Sequence, residues 1–181
     1  MEEKIILAAL AEMKLHSFRF TMGDLARRMH VSKSTIYKVV SSKEELVHKV
    51  IDYLMAVFEQ EKSRSQDTSS FEAKLRDFIR AYTHAFRYFE HGIYSDLQMN
   101  YPQEWERWEK FRQERVAIFV KLLEDGIAQG VFRPVNVAVM QRSLLVLSDS
   151  FADNDFLNEN NMTYSQAIES ISDWLFKGIL A

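Results

Sequence analysis

The chain has 181 residues, 47% of them apolar, with five glycines, two prolines and no cysteine. That composition supplies a sizeable core and excludes wholesale disorder, a disulfide framework, a thiol nucleophile and a thiolate metal site. The formal net charge of −3 speaks, as an average, against a polyanionic partner.

The average conceals an asymmetry. Residues 1–50 hold nine Lys/Arg against six Asp/Glu, and the remainder holds fourteen against twenty. Within 14–43 the basic residues are Lys14, Arg19, Arg27, Arg28, Lys33, Lys38 and Lys43, against Asp24 alone. A local basic patch beside an acidic remainder is the footprint of a small nucleic-acid module joined to another unit. A solvated basic face gives the same count, so charge alone does not decide. No apolar run reaches the roughly 18 residues of a membrane span, and the acidic start MEEKIILAAL lacks a secretory cleavage site. The expected compartment is the cytoplasm, with no membrane partner.

Few glycines and prolines and long periodic stretches predict an all-α chain. Ile5, Ile6, Ala9, Leu10 and Met13 make a core-facing stripe on a first helix over 2–15. Thr21 and Asp24 resemble a capping box opening a helix over 22–29, with Leu25, Ala26 and Met29 as its buried edge. After a bend at His30-Val31, Ser32 caps a short helix over 33–39 in which Ile36 faces inward. Ser42 and Glu45 form an S-x-x-E box for a long helix from 43 into the sixties. The polar stretch 63–70 reads as a connecting loop. Five further helices are expected over 71–90, 92–100, 103–129, 136–153 and 163–179, with Pro102 in the first turn of the third and Gly130 with Pro134 closing it. The Asn-rich segment 154–163 reads as a break.

The three capped starts near the N-terminus have the form of a helix-turn-helix, whose second helix enters the DNA major groove. Ala26 is the small residue where the helices cross, and Leu25, Met29, Val31, Ile36 and Val39 are anchors. Lys33, Ser34, Thr35, Tyr37 and Lys38 are left outward. Short hydroxyls approach base edges or phosphates closely, lysines neutralise phosphate, and a tyrosine hydroxyl is a phosphate donor. Lys43, in the first turn of the next helix, is placed for another backbone contact. With Thr21 and Ser32 these residues make the candidate DNA-contacting set. A helical hairpin in an ordinary bundle, acting as a protein-interaction module without DNA binding, has the same periodicity. A small helical enzyme is a third class. No metal-spaced His pair, phosphate loop or G-x-S-x-G elbow supports it, and Asp149 and Asp153, one helical turn apart, are generic. No metal or cofactor is expected.

The segment FTMGDLARRMHVSKSTIYKVVSSKEEL (20–46) resembles the DNA-binding segment of TetR-type transcriptional regulators, at Thr21, Leu25-Ala26, Val31-Ser32, Thr35-Ile36-Tyr37 and Ser42-Lys43-Glu44-Leu46. Two positions depart from that pattern. His30 stands where the family has the turn glycine, and Val40 where it has an aromatic. If the turn is left-handed at 30, a side chain there costs roughly 1–2 kcal/mol. His is nevertheless enriched among non-glycine residues at positive φ, so positive φ is expected at His30.

The resemblance implies a three-helix DNA-binding domain over 1–45 and a larger helical effector and dimerisation domain over 46–181. The implied function is an effector-responsive regulator that acts as a repressor. It would bind palindromic double-stranded operator DNA as a homodimer and be released by a small molecule, expected to be apolar or aromatic. By resemblance the effector cavity lies among the helices near 71–90, 92–100 and 103–125, with Phe78, Tyr82, Phe86, Phe89, Tyr94, Leu97, Trp105, Trp108 and Phe119 as candidate lining. His84 and His91 could add polar contacts, although such aromatics and histidines are more often structural. The stretch WERWEKFRQER (105–115) reads as a solvated mixed-charge face. The last two long helices carry apolar stripes (Val139, Leu144, Leu147, Phe151; Ile168, Ile171, Leu175, Ile179), and the resemblance pairs such helices with those of a second subunit.

Overall fold

The computed structural model describes residues 1–64, 70–86, 93–153 and 156–179. Ten α-helices are found among them: α1 Glu2–His16, α2 Met22–Met29, α3 Lys33–Tyr37, α4 Lys43–Arg64, α5 Phe71–Phe86, α6 Ile93–Asn100, α7 Pro102–Ala128, α8 Val137–Asp153, α9 Phe156–Glu159 and α10 Tyr164–Ile179. One 3-10 turn, Ser17–Arg19, links α1 to α2. The helix α9 corrects the expected break at 154–163: Phe156 and Leu157 interrupt its polar run, and Leu157 is buried. Residues 87–92, which include Phe89 and His91, lie outside the described residues.

The N-terminal core forms where the stripe of α1 meets the edges of α2 and α3. Ile5, Ile6, Ala9, Leu10 and Met13 are buried against Phe18, Phe20, Leu25, Ala26, Ile36 and Val40. Val40 is fully buried, so the smaller side chain still closes this core. Glu12 is buried on the same face of α1, where Arg28 of α2 donates to its carboxylate.

Helices α2, α7 and α9 end in one device, with a left-handed residue at His30, Gly130 and Asn161. His30 has φ 53° and ψ 41°. Its N–H donates to the Arg27 carbonyl and the Val31 N–H to the Ala26 carbonyl, at 3.2 and 3.1 Å. These are the paired bonds of a Schellman motif, which satisfies carbonyls that a helix end leaves without partners. Gly130 (φ 72°) ends α7 the same way, with Gly130 N–H to Ile127 and Val131 N–H to Gly126. Glycine takes this backbone without cost, whereas His30 carries a Cβ into it.

Helix α4 belongs to both halves of the molecule. Near its start Lys49 pairs with Glu2 of α1 at 2.8 Å. Further along, the ring of Phe58 stands edge-on to Phe78 of α5 and Phe111 of α7, with centroids 5.6 Å apart in each pair. Aromatic pairs in this geometry add about 0.5–1.5 kcal/mol beyond area burial. Helix α5 then packs on α4, α7 and α10, and α6 on α7 and α8.

The expected solvated face at 105–115 is corrected. Trp108, Phe111 and Arg112 are buried there, while Glu106, Lys110 and Gln113 are exposed. The charged residues mask an inward stripe at positions 108, 111 and 112, read by packing rather than by charge. Gly126 is required by close approach: a Cβ there would overlap the buried ring of Phe132. Among the described residues no helix is long and apolar enough to cross a membrane.

Two substitutions probe this packing. His30→Gly raises stability by about 1 kcal/mol, or roughly 2–4 °C in Tm for a chain of this size, because it removes the Cβ from a left-handed backbone. A fall in Tm would mean that the imidazole makes a stabilising contact. Gly126→Ala lowers stability by about 1–3 kcal/mol through overpacking against Phe132, and urea unfolding that leaves the midpoint unmoved would contradict this packing.

Candidate nucleic-acid interface

The candidate interface is assembled from caps. Thr21 Oγ1 accepts from the Gly23 and Asp24 N–H groups at 3.2 Å, and the Asp24 carboxylate accepts from the Thr21 N–H and hydroxyl at 2.8 and 2.7 Å. The Thr21 N–H, then its hydroxyl, hold the Asp24 carboxyl below its usual range, with Arg27 adding to them. The depressed value means that the box contributes at neutral pH and loses that contribution as pH falls through it. Ser32 caps α3 by accepting from the Thr35 N–H at 3.1 Å. Its hydroxyl also lies 2.8 Å from those of Ser34 and Thr35. The three hydroxyls therefore form one polar cluster at the start of α3.

At the start of α4 the expected box is shifted by one residue. Ser42 Oγ accepts from the Glu45 N–H at 3.1 Å, but the Glu45 carboxylate reaches the N–H and hydroxyl of Ser41, at 2.7 and 2.6 Å, rather than the Ser42 N–H. The chain between α3 and α4 is thereby tied to α4.

On α3, Lys33, Ser34 and Tyr37 are exposed, Thr35 is half-buried and Ile36 is fully buried, and Lys38, just past its end, is exposed. The basic residues around them divide into two groups. Arg27 pairs with Asp24 at 2.7 Å, Arg28 with Glu12, and Arg19 with Asp96 of α6. The Arg19 pair is a fork: Nε lies 3.2 and 3.0 Å from the two carboxylate oxygens and Nη2 lies 3.0 Å from Oδ1. Lys33 and Lys38 make no ion pair among the described residues.

Lys43 differs from expectation. Its ammonium donates to the Phe18 carbonyl at 2.6 Å and sits 4.7 Å from the centre of the Phe20 ring. Burial lowers its pKa. It joins α4 to the turn before α2 instead of presenting its charge outward. No local pattern signals this contact, which depends on how α4 crosses the 3-10 turn. Thr21 is exposed, but its hydroxyl is engaged in the cap.

In the C-terminal half the candidate lining residues separate. Phe78, Tyr82 and Phe119 do line a cavity, together with Val116, Leu145 and Ser148. Tyr94, Leu97 and Trp108 are buried in the packing of α6 on α7, and Trp105 stands edge-on to Tyr94 at 5.5 Å. These four are spent on joining α6 to α7. Phe86 ends α5. Arg112 is buried with its guanidinium 4.8 Å from the Tyr94 ring and pairs with Glu109 and Asp149, which gives Asp149 a structural role. His84 lies in the last turn of α5.

The candidate interface residues also separate. Val139 and Leu147 line an apolar groove of about 240 Å³ between α8 and α10. Ile168 lines the internal cavity, while Leu144, Ile171 and Leu175 stand between the two spaces. Phe151 stacks on Phe156 at 5.8 Å, and Ile179 is buried. Val139, Val146 and Trp174 are 60%, 47% and 70% exposed.

Residues 5–50 match the family of bacterial regulatory proteins, tetR family. Over 183 residues, all of this chain and 96% of the relative, the sequence is 26% identical to YvaF of Bacillus subtilis, described as an uncharacterized HTH-type transcriptional regulator. The fold is similar to that of the TetR-family regulator PfmR from Thermus thermophilus, with a TM-score of 0.72 and 20% identity over 96% of this chain and 97% of that one. It is also similar to AibR in complex with isovaleryl coenzyme A and operator DNA, with a TM-score of 0.67 and 17% identity over 96% of each chain. Residues 5–50 thus match the DNA-binding segment of the tetR family of bacterial regulatory proteins, and the whole chain has the all-helical fold of the TetR-family regulators it resembles.

Proposed function

We propose that the chain is an effector-responsive repressor that binds a roughly palindromic operator as a homodimer and leaves it when a small molecule occupies the C-terminal half. The observation that carries the reading is the face of α3. In a region where the arginines are paired with carboxylates, Lys33 and Lys38 flank Ser34 and Tyr37 on an exposed surface. Lysine there neutralises phosphate, and the hydroxyls of Ser32, Ser34, Thr35 and Tyr37 are short donors and acceptors for phosphates and base edges. Thr21 contributes at the start of α2. Residues 1–45 form the reading domain and 46–181 the effector and dimer domain, with α4 continuous between them.

Dimerisation through α8 and α10 is supported by the exposed Val139 and Trp174, which line an apolar groove, and by the exposed Val146 on α8, since exposed apolar surface marks an interaction site. Two reading helices related by a two-fold axis meet successive major grooves about 34–36 Å apart. Release requires that the effector bind the DNA-incompetent arrangement better than the DNA-bound one. The likeness to a fold captured with both an acyl thioester and operator DNA supports that coupling. The reading needs no catalytic residue, and the carboxylate Asp149 is engaged by Arg112.

DNA binding is expected to weaken steeply with salt. In a titration of a short duplex monitored by fluorescence anisotropy, Lys33→Ala and Lys38→Ala each lower the log–log salt slope by about one. Lys43→Gln, in contrast, lowers Tm and leaves the slope nearly unchanged. A wild-type slope near zero would end the DNA-binding reading. A slope that falls by about one only for Lys43→Gln would move the phosphate contact off α3.

A further inference from the structure

Gly23 is the second residue of α2, and its backbone does not require a glycine. Among the described glycines only Gly130 has a positive φ, so Gly23 lies in helical backbone that other residues adopt. Only proline forms helices less well than glycine. What the position uses is the missing side chain. A Cβ on Gly23 would stand 3.0 Å from Cε of Lys33, 3.2 Å from its Nζ and 3.3 Å from Oγ1 of Thr21. Carbon atoms in comfortable contact are about 3.5–4.0 Å apart. Lys33 is the first residue of α3. Its stem therefore crosses the first turn of α2 through the space that a side chain at 23 would fill.

The crossing decides where the charge of Lys33 goes. Lysine carries its ammonium on a long flexible stem, and ordering that stem at a contact costs rotamer entropy. Here the stem is laid down in advance against the backbone of α2. The nearby carboxylate does not capture it, because Asp24 is engaged by the N–H and hydroxyl of Thr21 and by Arg27. Lys33 stays exposed and makes no ion pair among the described residues. Its ammonium consequently stands where α2 and α3 meet, rather than ranging along α3.

We propose that Gly23 is a positioning residue for DNA binding: by leaving a slot across the first turn of α2 it holds the Lys33 ammonium at the α2–α3 junction, where it meets a backbone phosphate. Gly23 itself supplies no group to that contact. The inference rests on the DNA-binding reading and adds to it a residue whose role is to be small. Helix propensity given up at 23 is retained as placement of a charge, so substitution there separates stability from binding.

The test is a double-mutant cycle on the full chain. Binding is read by fluorescence anisotropy against salt with a random-sequence duplex, since a lysine–phosphate contact reads no base, and the same preparations are melted. Gly23→Leu fills the slot. It is expected to weaken binding about tenfold and to lower the log–log salt slope by about one, as Lys33→Ala does. Its Tm holds or rises, because leucine is the better helix former and the end of Lys33 moves aside. Gly23→Ala falls between wild type and Gly23→Leu. In the Lys33→Ala background Gly23→Leu changes neither affinity nor slope, because the side chain it displaces is already gone. In the Lys38→Ala background it keeps its full effect. A slope unmoved by Gly23→Leu would overturn the proposal. So would a further loss when it is added to Lys33→Ala, which would mean that leucine meets the DNA directly or disturbs the fold. A wild-type slope near zero refutes the DNA-binding reading itself, whereas a steep wild-type slope with Gly23→Leu unaffected refutes only this inference.

Discussion

A helix of five residues does not hold itself in water, where even 12 to 15 residues are marginal. Everything proposed for α3 depends on that constraint and on how it is met. The left-handed His30 lets the chain turn back within two residues and hands the last carbonyls of α2 to the N–H groups of His30 and Val31. Ser32 caps the new helix, and Ile36 and Val40 anchor it in the core beneath. Its polar side chains are consequently held outward on a rigid base, the condition under which a surface can match a DNA groove. The strain at His30 is offset locally by the two backbone hydrogen bonds that the bend makes possible.

The basic residues nearby serve two ends. Arg28 neutralises Glu12, which the stripe of α1 carries into the core, and Arg19 ties the turn before α2 to Asp96 on α6. Lys43 binds the Phe18 carbonyl in that same turn, while Phe18 packs on Tyr101 just past α6 at 5.7 Å. The N-terminal helices are thus joined to α6 by a charged fork and an aromatic pair, and α6 packs on α7, which supplies Val116 and Phe119 to the cavity wall. A series of packed elements, α7, α6 and the 3-10 turn, thus connects the cavity wall to the start of α2. The arginines that make the region look basic are paired with carboxylates, and Lys33 on α3 and Lys38 just past its end carry the charge that faces outward.

Much of the N-terminal half was legible in the sequence because its determinants are local. Caps at Thr21 and Ser32, the turn at His30 and the 3.6-residue stripe of α1 each act within a few positions of the chain. The one-residue shift of the Glu45 contact to Ser41 was not legible, because Ser41 and Ser42 offer the same donors. The burial of Lys43 and the Arg19–Asp96 fork were not legible either, since Asp96 is 77 residues away. In the C-terminal half, residue type marked aromatics but not their use. Trp108 and Tyr94 are spent joining α6 to α7, while the smaller Val116, Leu145 and Ser148 shape the cavity. Composition could not separate a space from its walls. The burial of Arg112 inside a segment rich in charge failed for the same reason.

If α3 reads DNA as part of a two-fold pair, selection from a random-sequence duplex pool shows it most directly. The enriched sequences are predicted to be inverted repeats whose half-site centres lie about one helical turn, or a whole multiple of it, apart. A Tyr37→Ala variant should relax or abolish that enrichment. A single unpaired half-site, or a pool no richer after selection than before, would contradict the account.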